Sequence, residues 1–155
     1  MLVMGILNVT PDSFADGGKH FTFEQALTHG LEMIEEGVDI IDVGGESTRP
    51  GAERVSAEEE QRRVIPVIKA LADKGVQISI DTMRASTARL AVEAGATIVN
   101  DVSGGAADPE MFTTIAELGC TYTLMHWRGH SKDMNSRAQY GDVVSEVIED
   151  RKSVV

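Results

Sequence analysis

Polar residues recur at the carboxyl ends of apolar runs, and their types suit the binding of a polar, anionic ligand. The longest such stretch is Asn8-Val9-Thr10-Pro11-Asp12-Ser13-Phe14-Ala15-Asp16-Gly17-Gly18, which follows an apolar run over residues 1–7. Turn chemistry accounts for Pro11-Asp12 and Gly17-Gly18. It does not account for Asn8, Phe14 and Asp16 in a connection longer than the usual two to six or so residues between a strand and a helix. Long loops in compact domains are usually functional or disordered. Phe14, in polar surroundings, suits a cover over a ligand better than a core.

A second stretch, Gly44-Gly45-Glu46-Ser47-Thr48-Arg49-Pro50-Gly51, joins two glycines to a hydroxyl and a planar, permanent cation. That mixture suits phosphate or carboxylate, although a solvated polar loop has the same composition. Asp81 ends Ile78-Ser79-Ile80 and serves either as a site carboxylate or as the N-cap of the helix that follows. Asn100-Asp101 offers an amide and a carboxylate that could read the donor and acceptor edge of a heterocycle, while Asp42 and Asp101 could instead brace neighbouring loops. His126 and His130 are spaced four apart, but in a loop-like segment with no third ligand, so zinc is not expected. Cys120 reads as an inert core thiol, and Met125 as core or pocket floor.

Positioning these residues on one rim requires a repeating scaffold, and the chain has one. Hydrophobic patterning predicts strands over 2–7, 38–43, 76–80, 97–100 and 121–125. Helices are expected to open at Thr22, at Ser56, near Arg84, at Asp108 and near Tyr140. Thr22 with Gln25 and Ser56 with Glu59 have capping-box spacing, and Asp108-Pro109 reads as an N-cap followed by a first-turn proline. Pro66 is expected to kink the second helix. Val143, Val144, Val147 and Ile148 form the apolar face of the last. Gly37, Gly75, Gly95 and Gly119 each close a helix shortly before a strand, the place for a left-handed C-cap. The strands are short continuous apolar runs, as in parallel strands covered on both faces. Such units build a doubly wound sheet or a (β/α)₈ barrel. Polar residues at every strand end favour the barrel, of which this chain supplies about the first five β-α units.

Composition narrows the function. The chain has 155 residues, 42% hydrophobic and 25% charged, enough for one soluble domain with a real core. A net charge of −11 argues against nucleic-acid or anionic-membrane partners. No apolar run approaches the roughly 20 residues of a membrane helix, and the first residues lack a basic n-region, so no signal peptide is expected. The lone Cys120 excludes a disulfide framework and suits a reducing, cytoplasmic setting.

The segment from Gly5 to Phe14 with Asp16-Gly17-Gly18 resembles the first signature of the dihydropteroate synthase family, and Ile41 to Gly51 resembles the second. Ser79-Ile80-Asp81-Thr82, Val99-Asn100-Asp101-Val102 and Leu124-Met125-His126 are similar to the third, fourth and fifth strand ends. The resemblance implies a (β/α)₈ barrel of folate synthesis. That family condenses p-aminobenzoate with 6-hydroxymethyl-7,8-dihydropterin diphosphate, with Mg²⁺, giving 7,8-dihydropteroate and pyrophosphate, and is the target of sulfonamides. It further implies that Asn8 helps bind Mg²⁺ and the diphosphate. Asp81 and Asn100 would hold the pterin, with Val102 and Met125 lining it. Thr48 would contact the diphosphate, and Phe14, Thr48 and Pro50 would shape the aminobenzoate pocket. Asp16 and Arg49 would belong to loops closing over the reacting centre.

The family's strand-six Asp, its Ser-Arg-Lys segment and its Arg-x-His at strand eight do not occur in this sequence. The chain is therefore expected to be the amino-terminal portion of one barrel domain, poorly stable and barely active alone, with a homodimer expected of the full-length protein. Competing readings are an inactive truncated fragment and the pterin-binding domain of a folate-dependent methyltransferase. The first loop, of the synthase type, separates the latter.

Overall fold

The computed structural model describes residues 1–10, 23–47, 54–130 and 135–152. Five strands alternate with five helices: β1 (Met4–Asn8), α1 (Phe23–Glu35), β2 (Ile40–Gly44), α2 (Ala57–Ala72), β3 (Gln77–Asp81), α3 (Ala85–Glu93), β4 (Ile98–Asp101), α4 (Met111–Leu118), β5 (Thr121–Leu124) and α5 (Val143–Lys152). All strand pairs are parallel, and the order is β1-β2-β3-β4-β5 without reversal. A doubly wound sheet reverses its order at a switch point and carries helices on both faces. Here α1 to α4 pack successively on each other. These helices cover one face of the sheet, which is the geometry of a barrel wall.

Side chains alternate across each strand, and the register sorts them. Leu7, Ile41, Val43, Ile78, Ile80 and Val99 point outward and are fully buried against Ala26 of α1, Val64, Val67, Ile68 and Leu71 of α2, Ala88 and Ala91 of α3, and Met111 of α4. Met4, Ile6 and Asn8 lie in register with Ile40, Asp42 and Gly44, and these with Gln77, Ser79 and Asp81. That row forms the concave face. At its end Ile6 is 63% exposed, because the β1 edge has no described neighbour on its far side.

Several expectations are corrected at element ends. β1 runs to Asn8, which pairs with Gly44 in the ladder, so Asn8 is a strand residue and not the first loop residue. β5 stops at Leu124 and alternates between exposed and half-buried residues, so Met125 lies just beyond the strand, 42% exposed. The last helix begins at Val143, not near Tyr140, and its expected apolar face stays open: Val143, Val144 and Ile148 are all exposed, since no described element packs over it. α2 runs through Pro66 without ending there. Ser56 Oγ accepts from Glu59 N at 3.2 Å, as the capping box predicts. The Glu59 carboxylate turns instead to Arg62 and Arg63. All four helix-closing glycines have positive φ. The opening of α1 at Thr22 lies outside the described residues.

The helix expected to open with Asp108 as N-cap and Pro109 in its first turn begins instead at Met111, with Glu110 in the N-cap position, so Asp108 lies in the turn before it. Asp108 Oδ2 accepts from Ala85 N, the first residue of α3, at 2.8 Å, while Oδ1 accepts from Glu110 N at 3.0 Å. Arg84, at the N-cap position of α3, supplies no capping side chain, so a residue 23 positions after Ala85 does the work. Asp108→Ala is expected to cost about 1 kcal/mol, read as a lower urea midpoint with unchanged m-value.

Candidate functional site

The site is the concave rim at the carboxyl ends of the strands. Asp42 and Asn100 come from β2 and β4 and meet across β3: Asn100 Nδ2 donates to Asp42 Oδ2 at 2.9 Å. Asp42 is 4% exposed. Its other oxygen, Oδ1, is buried without a partner, as are Asn100 Oδ1 and Ser79 Oγ. Buried acceptors left without donors are costly. Asp42 and Asn100 both stand on the concave row, so their two open acceptors suit a donor-bearing ligand.

Asp81 stands between them at the end of β3. It is not the N-cap of α3: that helix begins at Ala85, and Thr82 Oγ1 accepts from Arg84 N at 3.2 Å. Burial raises the Asp81 pKa, and the charges of Asp42, Glu60, Asp101 and Glu46 raise it further, to about 7. Perturbed carboxylates of this kind mark functional sites.

Gly44 opens the floor between β1 and β3. A Cβ there would lie 3.5 Å from both Asn8 Oδ1 and Asp81 Oδ2, so these two oxygens face one space that no side chain fills. Gly45 does something different. Its Cβ would stand 2.8 Å from Val64 Cγ1, so it is a packing glycine against α2. Of the two glycines expected to approach a ligand, one faces the mouth.

Asn100 and Asp101 are neighbours on β4 and therefore point to opposite faces. Asp101 is fully buried on the outer side, where it accepts from Ser103 N, Ser103 Oγ, Gly105 N and Tyr122 Oη at 2.7–2.9 Å. It braces the turn after β4 and belongs to no ligand pocket. Burial and Asp101 together push the Tyr122 phenol pKa up. Asp42, given the same alternative reading, faces the mouth.

Val102 is half-buried in the turn after β4. His126 meets Asp150 Oδ2 of α5 through Nδ1 at 2.6 Å and Tyr140 Oη, ahead of that helix, through Nε2 at 2.9 Å, so both ring nitrogens are engaged. Cys120 is half-buried beside the core, and burial pushes its thiol pKa up. Phe14, Asp16, Thr48, Arg49 and Pro50 lie outside the described residues. Among the described residues no group of three or more His, Cys, Asp or Glu could hold a metal ion, and no helix is long and apolar enough to cross a membrane.

Sequence reasoning passed over Glu60, which reads as one of three solvated acids in the first turn of α2. It is 1% exposed. Its carboxylate accepts from Thr82 Oγ1, Thr87 Oγ1 and Arg84 Nη1, each at 2.8 Å. The signal was present: Glu60, Val64, Val67, Ile68 and Leu71 make one continuous helical stripe.

A model of the pterin-binding enzymes matches residues 4–155. The chain belongs to the pterin-binding enzyme family. The dihydropteroate synthase of Mycobacterium leprae is 53% identical over 149 residues, covering 96% of this chain and 52% of that protein. Two solved dihydropteroate synthases share the fold. That of Yersinia pestis, in complex with a sulfonamide drug, superposes with a TM-score of 0.90 at 42% identity, over 99% of this chain and 56% of that one. That of Xanthomonas albilineans, with 4-aminobenzoic acid, gives 0.86 at 46% identity, over 99% and 55%. The chain thus spans about half the length of these pterin-binding relatives, corresponding to five β-α units of their barrel.

Proposed function

We propose that the chain is the amino-terminal half of a dihydropteroate synthase. Such an enzyme joins a dihydropterin diphosphate to p-aminobenzoate, with release of pyrophosphate. The observation that carries this is the pair of orphaned, buried acceptors, Asp42 Oδ1 and Asn100 Oδ1, beside Asp81. A pterin presents amino and ring N–H donors along one edge. These would satisfy that floor, with an ionised Asp81 taking two of them.

The ring then lies at depth, and its reactive methylene points over Gly44 toward Asn8. The amide oxygen of Asn8 fits Mg²⁺, a hard cation that keeps several waters and often takes one or two protein oxygens together with substrate phosphates. Bound there, Mg²⁺ would neutralise the departing diphosphate. The residues on this rim hold and orient the pterin and need supply no nucleophile: the C–O bond to diphosphate breaks to leave a pterin-stabilised cation, the aniline nitrogen of p-aminobenzoate attacks the methylene carbon, and its surplus proton passes to solvent. The aminobenzoate pocket, the other half of the barrel, a homodimer and a cytoplasmic setting complete the proposal.

The test is a titration of the full-length chain that carries these residues with 6-hydroxymethyl-7,8-dihydropterin diphosphate and Mg²⁺, followed by p-aminobenzoate. Stoichiometric pyrophosphate and dihydropteroate are expected. Pterin binding should weaken about tenfold per unit as pH falls below 7, because the ionised form of Asp81 is the one that binds. Binding of a methylated folate with no pyrophosphate release would overturn the reading.

A further inference from the structure

Beneath the site lies a buried ionic relay that joins it to α2. Glu60 projects from the first turn of α2 and holds Thr82, the residue after Asp81, through a 2.8 Å hydrogen bond. The same carboxylate takes Arg84 Nη1 at 2.8 Å, and that nitrogen also reaches Glu46 Oε2 at 2.9 Å. Arg84 Nη2 donates to the carbonyl oxygen of Val55. Arg54 Nε meets the other Glu46 oxygen at 3.1 Å. Burial works to lower the Arg84 pKa, but Glu60 and Glu46 outweigh it and hold the guanidinium above its ordinary value. Glu46, Glu60, Asp81, Thr82, Met83 and Arg84 enclose one small cavity.

The connectivity is unusual for a stability device. A single buried carboxylate holds the side chain of Thr82, next to Asp81, and, through Arg84, pins Glu46 and Val55. These two residues lie on either flank of the connection between β2 and α2. We propose that Glu60 is a positioning residue of the site: it sets Asp81 through Thr82 and sets the two ends of the β2–α2 connection through Arg84. The inference deepens the reading of the rim as a pterin site and rests on it.

Its charge is felt there as well. Asp81 is faced by Asp42 from β2, Glu46 just beyond it, Glu60 from α2 and Asp101 from β4, with Arg84 lining the same cavity and the neutral amides of Asn8 and Asn100 nearby. Neutralising Glu60 removes an acid and frees a cation, so Asp81 loses its proton more easily. Neutralising Arg84 does the opposite. The opposite shifts report the two charges, and a raised KM with little change in kcat separates positioning from a purely structural role.

The experiment uses the full-length chain carrying these residues, as Glu60→Gln, Arg84→Met and the double variant. Carboxyl-carbon NMR follows Asp81 without substrate, and steady-state kinetics uses the dihydropterin diphosphate. The Asp81 midpoint is expected to fall in Glu60→Gln and rise in Arg84→Met. KM for the pterin diphosphate is expected to rise roughly 10- to 100-fold in both, with kcat changing less. Should either single variant fail to fold, the double variant decides, because it leaves no unpaired buried charge between these two partners. Its KM is expected to stay raised. Wild-type KM in folded variants, with an unmoved Asp81 midpoint, would overturn the proposal whatever the loss of thermal stability. The NMR midpoints need no substrate, so they fail or succeed separately from the pterin reading, which Asp81→Asn tests.

Discussion

Asp81→Asn is expected to make the 155-residue chain more stable at pH 8 by roughly 4 kcal/mol, and to remove the pterin binding proposed for the full-length protein. The folded chain raises the Asp81 pKa from 3.8 to about 7, first by burial and then by the charges of Asp42, Glu60, Asp101 and Glu46. The folded state therefore holds this proton more tightly than the unfolded state does. Whatever the proton contributes is present in full below pH 3.8 and is lost as pH rises through 7. At pH 8 the wild-type chain must keep a carboxylate ionised among four others, and the amide carries no such charge. Urea midpoints should therefore diverge between the two proteins from pH 4 to 8 and converge near pH 3. A variant no more stable at pH 8 than at pH 3, relative to wild type, would show that the surrounding acids do not strain this site. The expected opposition between stability and binding is the usual cost of a preorganised site.

Removing one partner of the buried relay has the second large effect. Arg84→Ala is expected to destabilise the fold by about 3–5 kcal/mol, because Glu60, with 1% of its surface exposed, loses its buried partner. Glu46 keeps Arg54, so its side of the network fails less. Replacing both members, as Glu60→Leu with Arg84→Met, should recover most of that loss, since a buried pair exchanged for apolar groups of similar volume is often neutral. The orphaned hydroxyls of Thr82 and Thr87 would keep the recovery incomplete. A thermal or urea denaturation cycle over wild type, Glu60→Leu, Arg84→Met and the double variant gives the coupling directly. Equal and additive losses in the two single variants would show that the contact carries no net interaction.

Much of the scaffold was legible in local pattern. Alternating apolar runs and helical stripes located all five units within a few residues, and a glycine that takes positive φ closes each of the first four helices. Ser56 capped α2 as its spacing requires. These features depend on residues within one turn or one strand of each other, and short-range sterics and hydrogen bonding decide them. The strand ends also marked the rim, because parallel strands in register deliver their last residues to one edge. Asp81 and Asn100 were placed there by sequence, and the structure puts both beside Asp42.

What the sequence by itself determined, then, is the unit, its repetition and the rim on which polar residues collect. Which polar residue does what was decided only by tertiary contacts. Asn100 and Asp101 differ by one position, yet the alternation of β4 aims one into the mouth and the other at Tyr122 and the turn behind. Asp108 caps α3 because that helix lies beside it across 23 residues of chain. Glu60 looks solvated in a run of acids but meets Arg84, 24 residues away, inside the wall. The apolar stripe of α5 looks like core and stays exposed, since nothing among the described residues lies against it. In each case the partner is distant in sequence, and burial depends on which element the fold brings opposite, a fact that no local pattern carries.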